Sequence, residues 1–335
     1  MKSRKINMPE EAGSTRTVAI VVYDGCEILD VTAPVEAFEM ANRALSERGI
    51  SLPGYCNILL AEQAGFITTS SGLRLVADSW QECPDDIDTL IVVGSPDSSL
   101  SMALANKVLI HWVRNAAPRV RRIVSICTGA FILAEAGLLD GRRATTHWMN
   151  TGQLGRDYPS IQVEPDSIFV KDGSVATSAG ATAGLDLALS LIEDDFGKKL
   201  ALTVARRLVL YLKRPGGQTQ FSTHLRAQMV TGGSLATVLT WLESNFHLKT
   251  TVENLAERAC MSPRNFARTF LRETGTTPAK YIDLIRLEHA IRLLEDTSKP
   301  IAAIAVECGY SSTEHLRRPF QKHMGISPNA YRERF

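Results

Sequence analysis

Two groups of residues in this 335-residue chain have types and spacings suited to chemistry. The first is Val124-Ser125-Ile126-Cys127-Thr128-Gly129-Ala130, where a β-rich run passes straight into a helical one. A residue at so sharp a turn projects at the carboxyl end of a sheet, as a nucleophile elbow does. The following helix's N-terminus can lower a thiol's pKa and present N–H groups to an anion. Cys127 is therefore the candidate nucleophile, and thiol catalysis would need a base within hydrogen-bond reach. His147 is the candidate base, although a lone His after a strand more often has a structural role. Gly94-Ser95 ends another β-rich run and should border the same pocket, because ligands bind at the carboxyl ends of strands in open sheets. Asp30, Gly94, Ser95, Cys127 and Thr128 form the expected ligand site, with Asp30 and Thr128 supplying polarity.

The second group lies near the C-terminus. Arg264, Asn265, Arg268 and Arg272 fall on one helical face, and Glu314, His315, Arg318 and Lys322 fall on another. These types read base edges or grip phosphates: Arg for guanine, Asn for adenine, Glu for cytosine. A charge stripe is usually a solvated surface, so the case rests on the elements that carry it.

Those elements form a repeat. Thr251–Tyr281 can be laid over Pro300–Tyr331, placing Ala256 on Ala305 and, after one inserted residue, Phe266 on Leu316, Phe270 on Phe320 and Gly275 on Gly325. Each copy reads as a short helix, a tight turn and a second helix capped by Ser262 or Ser312. Pro263 at the first helical position strengthens one start, and glycines 275 and 325 mark the ends. The apolar pairs at i and i+4 anchor each second helix and turn its polar face outward. Pro319 interrupts this consistency. Inside the second recognition helix it removes a hydrogen bond and costs about 3 kcal/mol or a kink.

The first half of the chain alternates instead. Thr17–Tyr23, Asn57–Glu62, Asp88–Gly94, Arg122–Ile126 and Ser174–Ser178 read as buried strands. Pro34–Arg48, Ala103–Ala116, Ala130–Ala136 and Ala183–Phe196 read as helices, with another from Lys198 to about Leu212. Apolar strands alternating with helices predict a doubly wound, mostly parallel, flavodoxin-like α/β sheet. The expected organisation is a disordered leader (1–15), an α/β sensor domain (16–214), a connection (215–233) and an all-α DNA-binding domain (234–335). The connection holds Phe221, Leu225 and Met229 at helical spacing.

The region after Gly233, with Gly309–Arg332 as its most specific motif, resembles the AraC/XylS family. That resemblance implies two helix-turn-helix units, joined by a long helix at about Pro278–Asp296, entering successive major-groove segments about 34 Å apart. Val21–Asn42, Val124–Trp148 and the Gly-rich turn before Ala183 resemble the PfpI branch of the class I glutamine amidotransferase-like superfamily. The combination is similar to GlxA-type regulators. It implies a sequence-specific regulator, an activator by expectation, working with RNA polymerase on double-stranded promoter DNA, as a homodimer and in response to a small molecule. Many superfamily members place His directly after the elbow cysteine; here Thr128 stands there. Isonitrile hydratase resembles the same stretch and uses an acid that matches Asp30. A cysteine-dependent hydrolyase or amidase with a DNA-binding appendage is thus the rival reading, and a redox-sensing Cys127 a third. A non-catalytic sensor is the preferred one.

Composition sets bounds. From Ser234 onward there are 14 Lys/Arg against 11 Asp/Glu and four of the seven histidines, a mild basic excess. No stretch approaches the roughly 20 apolar residues of a membrane span, and the polar start is unlike a signal peptide. The expectation is a cytoplasmic protein. Its six scattered cysteines form no C-x-x-C pair, so neither metal nor cofactor is expected. The acidic Asp30 and the lack of an Arg cluster favour an amine, amino-acid derivative or quaternary ammonium effector over a phosphorylated one.

Overall fold

A computed structural model describes residues 15–47, 54–210, 218, 233–324 and 326–332. The chain divides into two compact units, Met1–Arg214 and Pro215–Phe335. Apart from Thr15, Gln218 and Gly233, the expected leader and connection lie outside the described residues, Phe221, Leu225 and Met229 included.

The N-terminal unit is built on strands β1 (Arg16–Val21), β2 (Tyr55–Ala61), β3 (Gly65–Thr68), β4 (Arg74–Ser79), β5 (Ile87–Val92), β6 (Arg122–Ile126), β9 (Phe169–Asp172) and β10 (Val175–Ser178), in the order β3-β4-β2-β1-β5-β6-β10-β9. The six inner strands are parallel and both edge strands antiparallel. A separate two-residue ladder joins β7 (Arg143–Ala144) to β8 (Gln162–Val163). Successive residues of β1 feed opposite faces. Val18 and Ile20 pack under helices α1 (Ile28–Glu47), α6 (Thr182–Phe196) and α7 (Lys198–Arg207). Ala19 and Val21 pack under α3 (Lys107–Ala116) and α4 (Gly129–Glu135). Both faces are covered, which is why these strands read as continuous apolar runs. The remaining helices are α2 (Asp97–Ala105) and α5 (Thr151–Asp157).

Helix α5 was not expected, and three of the expected helices differ. The first begins at Ile28 and keeps Pro34 inside it, because Val31, Ala33, Ala37 and Phe38 all bury there and outweigh one lost hydrogen bond. The expected Ala103–Ala116 helix is two helices broken at Asn106, whose Oδ1 accepts from Val108 and Leu109 N–H and caps α3. Helix α7 ends at Arg207 and Val209 takes φ +55, while Leu212 lies outside the described residues.

The C-terminal unit is helical throughout its described length: α8 (Gly233–Asn245), α9 (Val252–Arg258), α10 (Pro263–Thr274), α11 (Pro278–Asp296), α12 (Ile301–Glu307), α13 (Thr313–Met324) and α14 (Pro328–Arg332). It holds two cores, one around Phe266, Phe270 and Tyr281, the other around Leu316, Phe320 and Tyr331. The repeat is reproduced bond for bond at the turns. Met261 N–H reaches the Ala256 carbonyl at 2.9 Å, and Tyr310 N–H reaches the Ala305 carbonyl at 2.8 Å. Ser262 caps α10, and Gly275 closes it in the left-handed conformation. Gly325, the expected second terminator, lies outside the described residues. Pro319 does not break α13, which runs 12 residues, the length of α10. The fully buried Leu316 and Phe320 flank Pro319 on the inner face and hold the helix across the missing bond.

Candidate effector site and nucleic-acid interface

Strand order puts the switch point of the sheet between β1 and β5, where an open α/β fold leaves its ligand crevice. The five expected ligand residues converge beside it. Cys127 sits between β6 and α4 at φ +56, a conformation that costs a non-glycine residue about 1–3 kcal/mol. Two glycines make room for it. A methyl group on Gly180 would lie 2.6 Å from the Cys127 sulfur, and one on Gly94 would lie 2.7 Å from Thr128 Oγ1. Gly180 and the strained Ala181 (φ +46) were not singled out from sequence as site residues, although they lie in the Gly-rich turn.

The polar groups of this site are largely spoken for. Asp30 is fully buried, and its two oxygens accept from Gly94 N–H at 3.1 Å and Ala181 N–H at 2.9 Å. The carboxylate thereby ties the ends of β5 and β10 together. Burial pushes its pKa up to about 6, against the pull of those two N–H groups. Thr128 Oγ1 donates to the Ser95 carbonyl and accepts from the Ser95 N–H, both at 2.8 Å. Tyr23, overlooked in the sequence, donates to the Val93 carbonyl and contacts Ser95 Oγ at 3.2 Å.

The thiol is not activated. Burial, and then the Asp30 carboxylate, push Cys127 up to about 12, overriding any help from the short helix α4. His147 is half-buried, hydrogen-bonded to Asn150, with burial lowering its pKa. Among the described residues no hydrogen bond joins it to Cys127, and the Cys127 carbonyl is held instead by Thr146 Oγ1 at 2.8 Å. Nor, among the described residues, do three or more His, Cys, Asp or Glu side chains converge as a metal site.

A cavity of about 480 Å³ opens at the carboxyl ends of β1 and β2. Tyr23, Phe66 and Trp80 give it aromatic walls, Asp24 and Glu62 give it acid, and among the described residues no Lys or Arg lines it. None of the five expected ligand residues lines it either; Tyr23 connects the two places. A larger cavity of about 800 Å³ lies along α3 near Ile87, the first residue of β5, and Val120, just before β6, away from the strand ends that bind ligands in such folds.

In the C-terminal unit all eight expected DNA-contacting residues are exposed, because Phe266 and Phe270, like Leu316 and Phe320, bury the opposite faces completely. Arg268 rests on Asn265 Oδ1 at 3.2 Å, and Arg272 pairs with Glu273 at 2.7 Å. Glu314 is bound by Arg317 at 2.7 and 3.0 Å and by Arg318 at 3.5 Å, and the Arg317 bond holds its carboxyl below the usual range. Arg317 was missed, although its i+3 spacing from Glu314 signals the pair. His315 contacts Ser311.

Residues 16–194 match the DJ-1/PfpI family, and residues 255–334 match a helix-turn-helix domain. The chain is 30% identical over 309 residues to the HTH-type transcriptional regulator CdhR of Pseudomonas aeruginosa, covering 92% of this chain and 89% of that one. It is 29% identical over 193 residues to isonitrile hydratase of Pseudomonas putida, covering 57% of this chain and 77% of the enzyme. Among solved structures, a ThiJ/PfpI family protein from Pseudomonas syringae superposes with a TM-score of 0.52 at 27% identity, over 64% of this chain and 83% of that one. The chain belongs to the DJ-1/PfpI family and, through its second unit, to the HTH-type transcriptional regulators that join this fold to an AraC-type DNA-binding domain. No helix among the described residues is long and apolar enough to cross a membrane.

Proposed function

We propose that the protein is an effector-responsive regulator that binds promoter DNA through Arg264, Asn265, Arg268, Arg272, Glu314, His315, Arg318 and Lys322. The single observation behind this assignment is the matched pair of 12-residue helices, each buried by an aromatic or aliphatic pair and each turning its polar face to solvent. Residues 16–214 act as sensor, 215–233 as connection and 234–335 as reader. The protein works as a cytoplasmic homodimer and activates by assisting RNA polymerase. The readers are testable singly. Arg264→Ala or Arg268→Ala is expected to cost about 1–3 kcal/mol in operator affinity and to relax preference at one base pair. Arg272→Ala or Lys322→Ala is expected to weaken all duplexes alike and reduce the salt slope by about one. Unchanged affinity and slope across all four would refute the groove assignment.

The effector, we infer, is a small organic cation received at the carboxyl ends of the strands between Tyr23 and Cys127. The acidic, aromatic cavity supports this, since ring faces and carboxylates attract cations and no fixed positive charge opposes them. Cys127 serves there as a packed thiol, not a nucleophile. A thiol pushed up to about 12, with no base bonded to it, carries almost no thiolate at neutral pH. Cys127→Ala is accordingly expected to leave DNA binding intact and to leave the response to a probe such as tetramethylammonium within about twofold of the wild type. The measurement is a promoter footprint with and without the probe. Hydration of an isonitrile by the wild type, abolished in Cys127→Ala, would instead favour the enzyme reading, and peroxide-sensitive DNA binding that needs Cys127 would favour a redox switch.

A further inference from the structure

The corner between α8 and α9, Phe246-His247-Leu248, is gripped from two distant parts of the chain. Arg286, in the middle of α11, donates through Nε to the Phe246 carbonyl at 2.8 Å and through a terminal nitrogen to the Leu248 carbonyl at 2.9 Å. One turn further along, the His289 ring stacks on Phe246 with centroids 3.9 Å apart and planes 15° from parallel. The third contact comes from the second helix-turn-helix unit. Gly309, in the tight turn between α12 and α13, lies so close to His247 that a methyl group on it would stand 2.4 Å from the His247 carbonyl oxygen and 2.8 Å from its Cα.

The repeat explains what this glycine is for. Cys260 occupies the matching place in the first unit, at φ +53 against +78 for Gly309. A side chain is therefore tolerated by the turn itself, and Cys260 is exposed. What excludes a side chain at 309 is the neighbouring backbone of His247. The contact, rather than the turn, calls for glycine.

The two cores of this unit share no residue, and the 19-residue helix α11 contributes to both. A single helix about 28 Å long is a poor goniometer, since long helices bend. We propose that the corner 246–248, held by Arg286 and seated against Gly309, is a second attachment that fixes the orientation of one recognition helix relative to the other. Arg286 and Gly309 are thus positioning residues for two-segment DNA reading. Neither belongs to the exposed faces assigned to the grooves. The inference rests on both faces reading DNA, and it gives α8 a direct mechanical line to the second unit.

The test uses the full chain and a duplex selected by it from a random pool, together with the same duplex carrying two extra base pairs between the two contacted segments. The wild type should lose about tenfold or more on the lengthened duplex, within the usual range of coupling between sites. Gly309→Ala and Arg286→Ala should bind the selected duplex about tenfold more weakly, bind both duplexes within about twofold of each other, and keep the hydroxyl-radical footprint of the first unit. Arg286→Lys, which keeps the charge but cannot span both carbonyls, should restore only part of the spacing preference. A folded variant that retains the wild-type spacing preference, or one that loses the first unit's footprint as well, overturns the proposal. Should Gly309→Ala fail to fold, the two Arg286 variants decide the matter alone. If the wild type gives one footprint segment and no spacing preference, the premise of two readers fails instead, and the proposal with it.

Discussion

Replacing Asp195 by Asn is expected to lower the stability of the N-terminal unit by about 3–5 kcal/mol, the usual result of removing one partner from a buried ion pair. The carboxylate is 1% exposed and receives Arg122 at 2.6 and 3.1 Å, Arg121 at 2.9 Å and the Tyr55 hydroxyl at 2.7 Å. Arg122 is itself only 9% exposed and has Thr89 Oγ1 as its other side-chain partner, at 2.8 Å. Without the carboxylate its charge stays buried with only the more distant Asp88 to oppose it, whereas the half-exposed Arg121 keeps its existing pair with Asp88 and its access to water. The network joins the start of β6 to the end of α6 and to β2, so the damage spreads across the sheet. In thermal unfolding the loss corresponds to a fall of about 6–20 °C for a unit of this size. Replacing Arg122 and Asp195 together by apolar residues of similar volume should recover much of it, because the cost lies in the orphaned charge. A single variant melting within about 2 °C of the wild type would show the network to be ornamental.

Much of this architecture was legible because periodicity reports burial. The continuous apolar runs of β1, β5 and β6 exist because helices cover both sheet faces, and the repeated Ala, Ser and aromatic positions after Gly233 exist because each turn must pack and cap in the same way. The strands β3, β4 and β9 were missed for the complementary reason. The edge strands β3 and β9 are four residues long without a sustained pattern, and β4 fully buries only Ala77 of its six residues. Asn106 was missed because a single capping amide splits a helix without altering its apolar count.

The site was half legible. Its residues could be gathered from strand ends and the elbow motif, but not their condition. Whether Asp30 faces a ligand or bridges two backbone N–H groups depends on where Ala181 lies, 151 positions away. The same holds for Cys127. Its place before a helix suggested an activated thiol, and only three-dimensional burial beside Asp30 reverses that sign.

Asp30 should leave its mark on the pH dependence of the protein. Its folded pKa of about 6 lies above its ordinary value of 3.8, so the native state holds the proton more tightly than the unfolded chain. That contribution to stability is fully present below pH 3.8 and is lost as pH rises through about 6. The whole shift corresponds to about 3 kcal/mol, of which about 1.4 kcal/mol disappears between about pH 5 and 8. Other carboxylates titrate in the opposite sense, so the quantity to measure is the difference between wild type and Asp30→Asn across that range. The Asn variant should be the less stable at about pH 5, since one amide oxygen replaces two acceptors and leaves Gly94 or Ala181 N–H unsatisfied. The gap should then narrow towards about pH 8, as the wild type bears the cost of its buried charge. A cationic effector resting near this carboxylate should bind more tightly as pH passes upward through about 6, and Asp30→Asn should abolish that dependence. A wild-type and variant difference that stays constant with pH would mean that Asp30 does not titrate between about pH 5 and 8, which would overturn the raised pKa assigned to it.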